Sequence, residues 1–120
     1  MEEKQLSRVD AIPQRLRGYL SRLLKTVKSL DEDVQIYLVG SYAKGEWLED
    51  SDVDLIVISE LFEGKDLGKR YSMIRKLAPS GFSLEILTYT PSEFKIFSKR
   101  SVILQDMLGT AIKLRSRQAN

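Results

Sequence analysis

The sequence contains no cysteine and no histidine, and each absence removes a class of chemistry. Without cysteine the chain has no disulfide, no thiolate nucleophile and no zinc–thiolate site. Without histidine it has no imidazole for acid–base catalysis. Any catalysis must therefore use carboxylates, lysines, hydroxyls, backbone amides or a metal ion held by oxygen ligands.

Long hydrophobic runs are also missing. The longest apolar stretches, IYLV and LIVI, are far shorter than the roughly 20 residues that cross a bilayer, and the opening MEEKQLSRVD has no apolar signal-peptide core. We therefore expect a cytoplasmic protein without membrane contact. With 120 residues, 42% of them hydrophobic, the chain can build one core, and residues 1–120 are predicted to form a single domain.

The net charge of +2 hides an uneven distribution. Residues 31–66 contain eleven of the seventeen acidic residues, whereas residues 95–117 contain six basic residues and one acid. Most of these charges are typical of a solvated surface. The basic stretch lacks the interleaved aromatic residues that stack on bases, so nucleic acid is not an expected partner.

The apolar periodicity predicts an α/β (α+β) domain in which helices flank a small mixed β-sheet. An amphipathic helix is expected over about residues 9–30, with Asp10 as its cap and Leu30 on its buried stripe. A catalytic core of about residues 34–90 follows, with strands at VQIYLVGS, DVDLIVIS and FSLEILTYT and a helix at KRYSMIRKLA. About residues 92–115 are predicted to form a C-terminal helical segment with a short edge strand after Gly109, and Phe94 and Phe97 are expected in its core.

Two aspartates stand at the start of the second strand. Asp52 and Asp54 are two residues apart, so their side chains are predicted to share one face of the sheet. Neighbouring carboxylates repel each other unless a cation lies between them, and hard cations such as magnesium prefer oxygen ligands. Glu85, an acid within the apolar third strand, is either a third ligand or a solvent-facing charge on an edge strand. Three such carboxylates could hold two metal ions for phosphoryl transfer.

Gly40 and Ser41 end the first strand. A glycine lets the backbone approach a ligand closely, and free amides at the start of a helical turn, at Ser41 or Tyr42, favour phosphate. A simple strand-ending turn uses the same residues, but here the pair precedes the two aspartates at a fixed distance, which predicts a phosphate site beside a metal site. Tyr42 and Trp47 are expected to be exposed near this opening, where they stack on a base, meet a partner or pack.

The stretch GSYAKGEWLEDSDVD resembles the signature of the DNA polymerase β-type nucleotidyltransferase superfamily. Its short form, GSxxxGxxxxxSDxDL, is similar to the minimal nucleotidyltransferases of prokaryotes. The resemblance implies a nucleotidyltransferase fold and a magnesium-dependent nucleotidyltransferase activity. The site residues that it implies are Gly40 and Ser41 on the β- and γ-phosphates of ATP or another nucleoside triphosphate, Lys44 on a phosphate or facing solvent, Asp52 and Asp54 on two magnesium ions, and Glu85 on the catalytic ion.

The resemblance also implies a partner. Minimal nucleotidyltransferases of this type resemble the antitoxins of two-gene modules whose partner is a HEPN-domain ribonuclease toxin, and the implied reaction transfers AMP from ATP to a tyrosine hydroxyl of that toxin. The chain is too short for the second domain of larger relatives, so a homodimer or a separate helical protein would complete the cleft.

Two alternatives stay open. One is transfer to a small-molecule hydroxyl, since the acidic segment around Glu46, Glu49 and Asp50 would suit a cationic acceptor. The other is a non-catalytic antitoxin binding module, which neutralises its partner by covering it.

Overall fold

The computed structural model describes residues 12–116 and confirms a mixed α/β fold. None of the helices within these residues is long and apolar enough to cross a membrane. The helices and strands are, in chain order, α1 (Gln14–Lys28), β1 (Gln35–Val39), α2 (Gly40–Lys44), β2 (Val53–Ile58), a 3-10 turn (Glu60–Phe62), α3 (Leu67–Leu77), β3 (Leu84–Tyr89), α4 (Pro91–Arg100), α5 (Val102–Gly109) and β4 (Ile112–Lys113).

The strands form one sheet in the order β3-β2-β1-β4. β1 pairs antiparallel with β2 and β4, whereas β2 and β3 run parallel. The inner position of β2 explains its nearly continuous apolar sequence, VDLIVI, because both of its faces are covered. β4 is the short edge strand expected after Gly109.

One face of the sheet packs against α1 and α3. Alternate strand residues such as Ile36, Leu55 and Val57 point to this face and are buried. Burying one leucine of this kind contributes about 1.5–3 kcal/mol. The residues that α1 buries against the sheet are Leu16, Tyr19, Leu20, Leu23, Leu24 and Val27.

The N-terminal helix is shorter than the sequence pattern predicted. It begins after Pro13, which occupies the N-cap position, and ends at Lys28. Proline suits the start of a helix because the first amides have no partner within the helix. Leu30, expected on the buried stripe, is 57% exposed, because the helix ends before it and its periodicity no longer applies. The predicted cap, Asp10, lies outside the described residues.

The second face of the sheet is covered by α4 and α5 over only part of its area. Ile56 and Ile58 of β2 are buried there against Leu104 of α5. Phe97, expected in the core, is instead 48% exposed, and Leu87 of β3 is 41% exposed. The second face therefore stays open on its β3 side.

Side chains of α3 cover the free edge of β3. The carbonyl oxygens of Leu84 and Thr88 point away from β2, because the alternate carbonyls along this segment bond to β2. The hydroxyl of Tyr71 donates to Leu84 at 3.3 Å, and the guanidinium of Arg70 donates to Thr88 at 3.4 Å. Arg70 also pairs with Glu93 of α4 at 2.7 Å, which connects β3 to the helix that follows it.

Candidate active site

Asp54 and Glu85 are neighbours across the β2–β3 pair. The parallel register places the two residues directly opposite each other. Side chains opposite each other on adjacent strands share a face, and this is the face that α4 and α5 leave partly open. The two carboxyl groups are close enough for Glu85 to raise the pKa of Asp54. The structure thus brings these two predicted site residues together, and their role as metal ligands stays a prediction.

Negative charge accumulates around Asp54. Burial, then the charges of Glu85 and Asp52, and finally the hydrogen bond to Glu85 raise the pKa of Asp54 from 3.8 to about 6. A divalent cation would supply the positive charge that this group of carboxylates needs. The available ligands are carboxylate oxygens, which magnesium prefers. The donor chemistry of these side chains therefore suits magnesium.

Asp52 lies just before β2, next to the pair formed by Asp54 and Glu85. The sequence pattern placed it within the second strand, but β2 begins one residue later, at Val53, because the pairing with β1 and β3 starts there. Asp52 is half-buried, and its charge still acts on Asp54. Across residues 12–116, no three carboxylates form a group with metal-binding geometry. The preformed part of the site is therefore the pair Asp54 and Glu85.

Gly40 makes the junction between β1 and α2 beside this pair. Its φ of 75° lies in the left-handed region, and a Cβ atom at this position would collide with the carboxylate of Asp54. Both the backbone conformation and the close approach therefore require glycine. Val39, the preceding residue, is paired with Asp54 in the sheet register, which fixes the turn next to the carboxylate.

A pocket of about 360 Å³ lies at this junction. Gly40, Asp54 and Glu85 all line it, whereas Ser41 and Lys44 do not. Lys44 is the last residue of α2 and is exposed, and Ser41 is half-buried. Of the predicted phosphate-binding residues, only Gly40 therefore contacts the pocket directly.

Sequence reasoning missed several lining residues, among them Leu87 and Met107. Leu87 of β3 lies two residues after Glu85, so the strand alternation that singled out Glu85 also places Leu87 on the same face. Met107 of α5 also lines the pocket, and the sequence carries no signal for it, because the packing of α5 on the sheet decides which way this residue points.

The loop between α2 and β2 is held by aromatic stacking. Tyr42, expected to be exposed, is buried and stacks on Trp47 with ring centroids 5.4 Å apart and an interplanar angle of 16°. Trp47 remains 36% exposed. The hydroxyl of Ser51 accepts a hydrogen bond from the amide of Leu48 at 2.7 Å, so it serves the loop structure. These contacts position the segment that leads into Asp52.

Comparison with known proteins identifies the family and supports the fold. A family model described as a nucleotidyltransferase domain matches residues 20–108, which include every site residue named above. Among solved structures, a protein from Sulfolobus solfataricus assigned as a nucleotidyltransferase is similar, with a TM-score of 0.62 and 16% sequence identity over 92% of this chain and 88% of that chain. At this identity the likeness shows the fold. No curated protein matches the sequence significantly.

Proposed function

The chain belongs to the nucleotidyltransferase domain family, and from that premise we propose that it transfers AMP from ATP to a hydroxyl group in a magnesium-dependent reaction. One observation carries the proposal: Gly40, Asp54 and Glu85 meet at one end of three adjacent strands, β1, β2 and β3. This arrangement combines a close backbone approach for phosphate with a pair of carboxylates for a cation.

Each site residue has its own role in the proposed reaction. Gly40 and Ser41, on the β1 side, receive the triphosphate, and Lys44 approaches it from the exposed end of α2. Asp52, Asp54 and Glu85 would hold two magnesium ions. When bound, these ions neutralise the charge of the phosphates and lower the pKa of the attacking hydroxyl.

The reaction forms one bond and breaks one bond at the α-phosphorus. The acceptor oxygen bonds to the α-phosphorus, and the bond between that phosphorus and the bridging oxygen to the β-phosphate breaks, so pyrophosphate leaves with the electron pair. The hydroxyl proton would pass to a site carboxylate and then to solvent, and Glu85, exposed on the β3 side, is placed to take this role. Positioning of the two reactants supplies most of the remaining rate enhancement.

The acceptor in this proposal is a tyrosine of a HEPN-type toxin, and the chain acts as the antitoxin. The described residues form a single sheet with flanking helices, and the site opens to solvent on the β3 side, which leaves room for a partner protein to complete the cleft. The reaction would take place in the cytoplasm.

The test is transfer of label from ATP. The purified protein is incubated with magnesium, α-phosphate-labelled ATP and lysate of its own source, and the label is located by gel electrophoresis and mass spectrometry. The inactive variant is Asp52→Asn with Asp54→Asn. The matched control is Glu32→Gln with Asp33→Asn, which removes the same charge from exposed positions in the turn before β1.

Label on a tyrosine of a partner protein, lost in the inactive variant and kept in the control, supports the proposal. Label on a small molecule would mean that the protein is a nucleotidyltransferase whose acceptor is a small molecule and not a protein. The absence of label with all four nucleoside triphosphates would refute the enzyme and favour a non-catalytic binding module.

A further inference from the structure

An apolar groove of about 610 Å³ lies between α3, β3 and α4. Its walls include Leu67, Leu87, Tyr89 and Phe97. Leu67 is 71% exposed, Phe97 48% and Leu87 41%, although all three are large apolar side chains. Large apolar side chains that remain exposed in one groove form a candidate interaction surface.

The groove is continuous with the candidate active site. Ile86 and Leu87 line both the groove and the pocket that contains Asp54 and Glu85. Along β3, Glu85 and Leu87 point to the same face, so the carboxylate and the apolar wall are two residues apart. The groove extends from the β3 side of the site, away from Gly40 on the β1 side. In the proposed reaction this is the acceptor side.

The charges in the groove and on the helix that carries Phe97 favour an acidic occupant. Lys65 and Arg70 line the groove, and the basic residues of α4 lie on the helix beside it. Glu93 is held by two hydrogen bonds from Arg70, at 2.7 and 3.0 Å, and Asp66 caps α3 through a 2.9 Å bond from the amide of Lys69. Both acids that line the groove are therefore already engaged, which disfavours a cationic small molecule. The exposed charged residues of α4 are all basic: Lys95, Lys99 and Arg100.

We propose that this groove, the acceptor groove, is the docking surface for the acceptor protein. The segment that binds there carries apolar side chains flanked by acidic residues, and it presents a side-chain hydroxyl at Glu85. Apolar groups fill the space between Leu67, Leu87 and Phe97, and acidic groups meet the basic residues of α4. The inference rests on the proposed function, because the acceptor side is defined by the reaction. A second copy of the chain fits less well, since a two-fold contact through α4 would place its basic residues against each other.

The test measures steady-state kinetics with the acceptor protein that α-phosphate-labelled ATP identifies, after its purification. Two groove variants are compared, Phe97→Gln and the double variant Lys99→Glu, Arg100→Glu. The matched control is Leu30→Gln, an exposed leucine that follows α1 and lines a different cavity. Thermal melting checks that each variant is folded, and the double variant changes only exposed side chains.

The groove variants are expected to raise KM for the acceptor protein about tenfold or more, with kcat at saturating acceptor and KM for ATP within about twofold of the wild type. The effect of the double variant should shrink in 0.5 M salt, because the contacts that it removes are between charges at the surface. Leu30→Gln should change none of these quantities.

Three results would overturn the docking proposal. If KM for a labelled acceptor protein stays unchanged in both groove variants, the proposed function survives and the docking surface is wrong. If Leu30→Gln raises KM as much as Phe97→Gln, the effect is not local to the groove. If the wild type labels RNA, a small molecule or nothing, the protein acceptor fails, and the docking surface fails with it.

Discussion

Replacing Asp54 with asparagine should stabilise the folded protein at neutral pH. The pKa of Asp54 is raised from 3.8 to about 6 by burial and by neighbouring carboxylates. The folded state therefore binds a proton more tightly than the unfolded state between these pH values. Stability is lost as the pH rises from about 4 through about 6, and the loss persists at higher pH.

The magnitude follows from the size of this difference. At about 1.4 kcal/mol per pKa unit, the upper bound is about 3 kcal/mol. Asp54 is half-buried, and solvent screening reduces the net value to about 1 kcal/mol. Asparagine has nearly the same shape, carries no charge and can donate a hydrogen bond to Glu85, so Asp54→Asn should gain about this amount at pH 7.5.

The assay is urea unfolding of the wild type and Asp54→Asn at pH 4 and pH 7.5 without divalent metal. Circular dichroism reports the global transition, and fluorescence of the single tryptophan, Trp47, reports the loop beside the site. The stability advantage of the variant should be about 1 kcal/mol larger at pH 7.5 than at pH 4. Asp50→Asn, at an exposed loop position, controls for removal of one carboxylate.

An equal difference at both pH values would refute the reasoning, because it would mean that the charge of Asp54 causes no strain in the fold. Adding magnesium at pH 7.5 extends the test. If the cation binds these carboxylates, it should raise the midpoint of the wild type more than that of Asp54→Asn.

Three further predictions concern other parts of the structure. Gly40→Ala should abolish nucleotidyl transfer and destabilise the fold by about 1–2 kcal/mol, because alanine is strained at a φ of 75° and its Cβ displaces Asp54; activity and urea midpoint check this. Glu93→Gln should cost about 2 kcal/mol at pH 7 because Arg70 is buried and loses its charged partner. Arg70 lowers the pKa of Glu93 from 4.5 to about 2, so this contribution is present above pH 4.5 and is lost as the pH falls toward 2, which acid titration of wild type and variant measures. Tyr19→Phe should stabilise the protein by about 1 kcal/mol in thermal unfolding, since the buried Tyr19 hydroxyl has no hydrogen-bond partner among the described residues.

Much of the fold could be predicted from the sequence because local patterns decide it. The run LIVI is short and apolar on both faces, which is typical of a covered inner strand, and it lies in β2. The stripe of α1 follows the helical period from Leu16 to Val27. The end of that helix could not be read from the same pattern, since Leu30 continues the apolar spacing although the helix has already ended.

Tertiary contacts decided what the sequence could not. The aromatic residues Phe94 and Phe97 look equivalent in the sequence, but α4 packs so that Phe94 stacks on Tyr37 while Phe97 remains half-exposed. Helical periodicity fixes the angle between side chains but not the direction in which a helix faces. Tyr42 was expected to be exposed but is buried, because the loop after α2 brings Trp47 against its ring.

The candidate site was predictable to the extent that it depends on alternation along strands. Asp54 and Glu85 were expected on neighbouring strands, and the register pairs them directly. Asp52 was expected within the second strand but lies just before it. The first residue of β2 depends on pairing with the neighbouring strands, and that pairing starts at Val53. Met107 lines the pocket because of the way α5 packs on the sheet, and no local sequence pattern encodes this packing.

The side chains that cover the free edge of β3 have a consequence for the protein in concentrated solution. An open strand edge offers unpaired amides and carbonyls to any other chain and is a starting point for aggregation. Tyr71 and Arg70 occupy the Leu84 and Thr88 carbonyls on that edge, so a second strand that added there would have to break both hydrogen bonds. The edge that carries Glu85 is thus protected from sheet extension by α3, while the face that carries the same residue stays open to a partner.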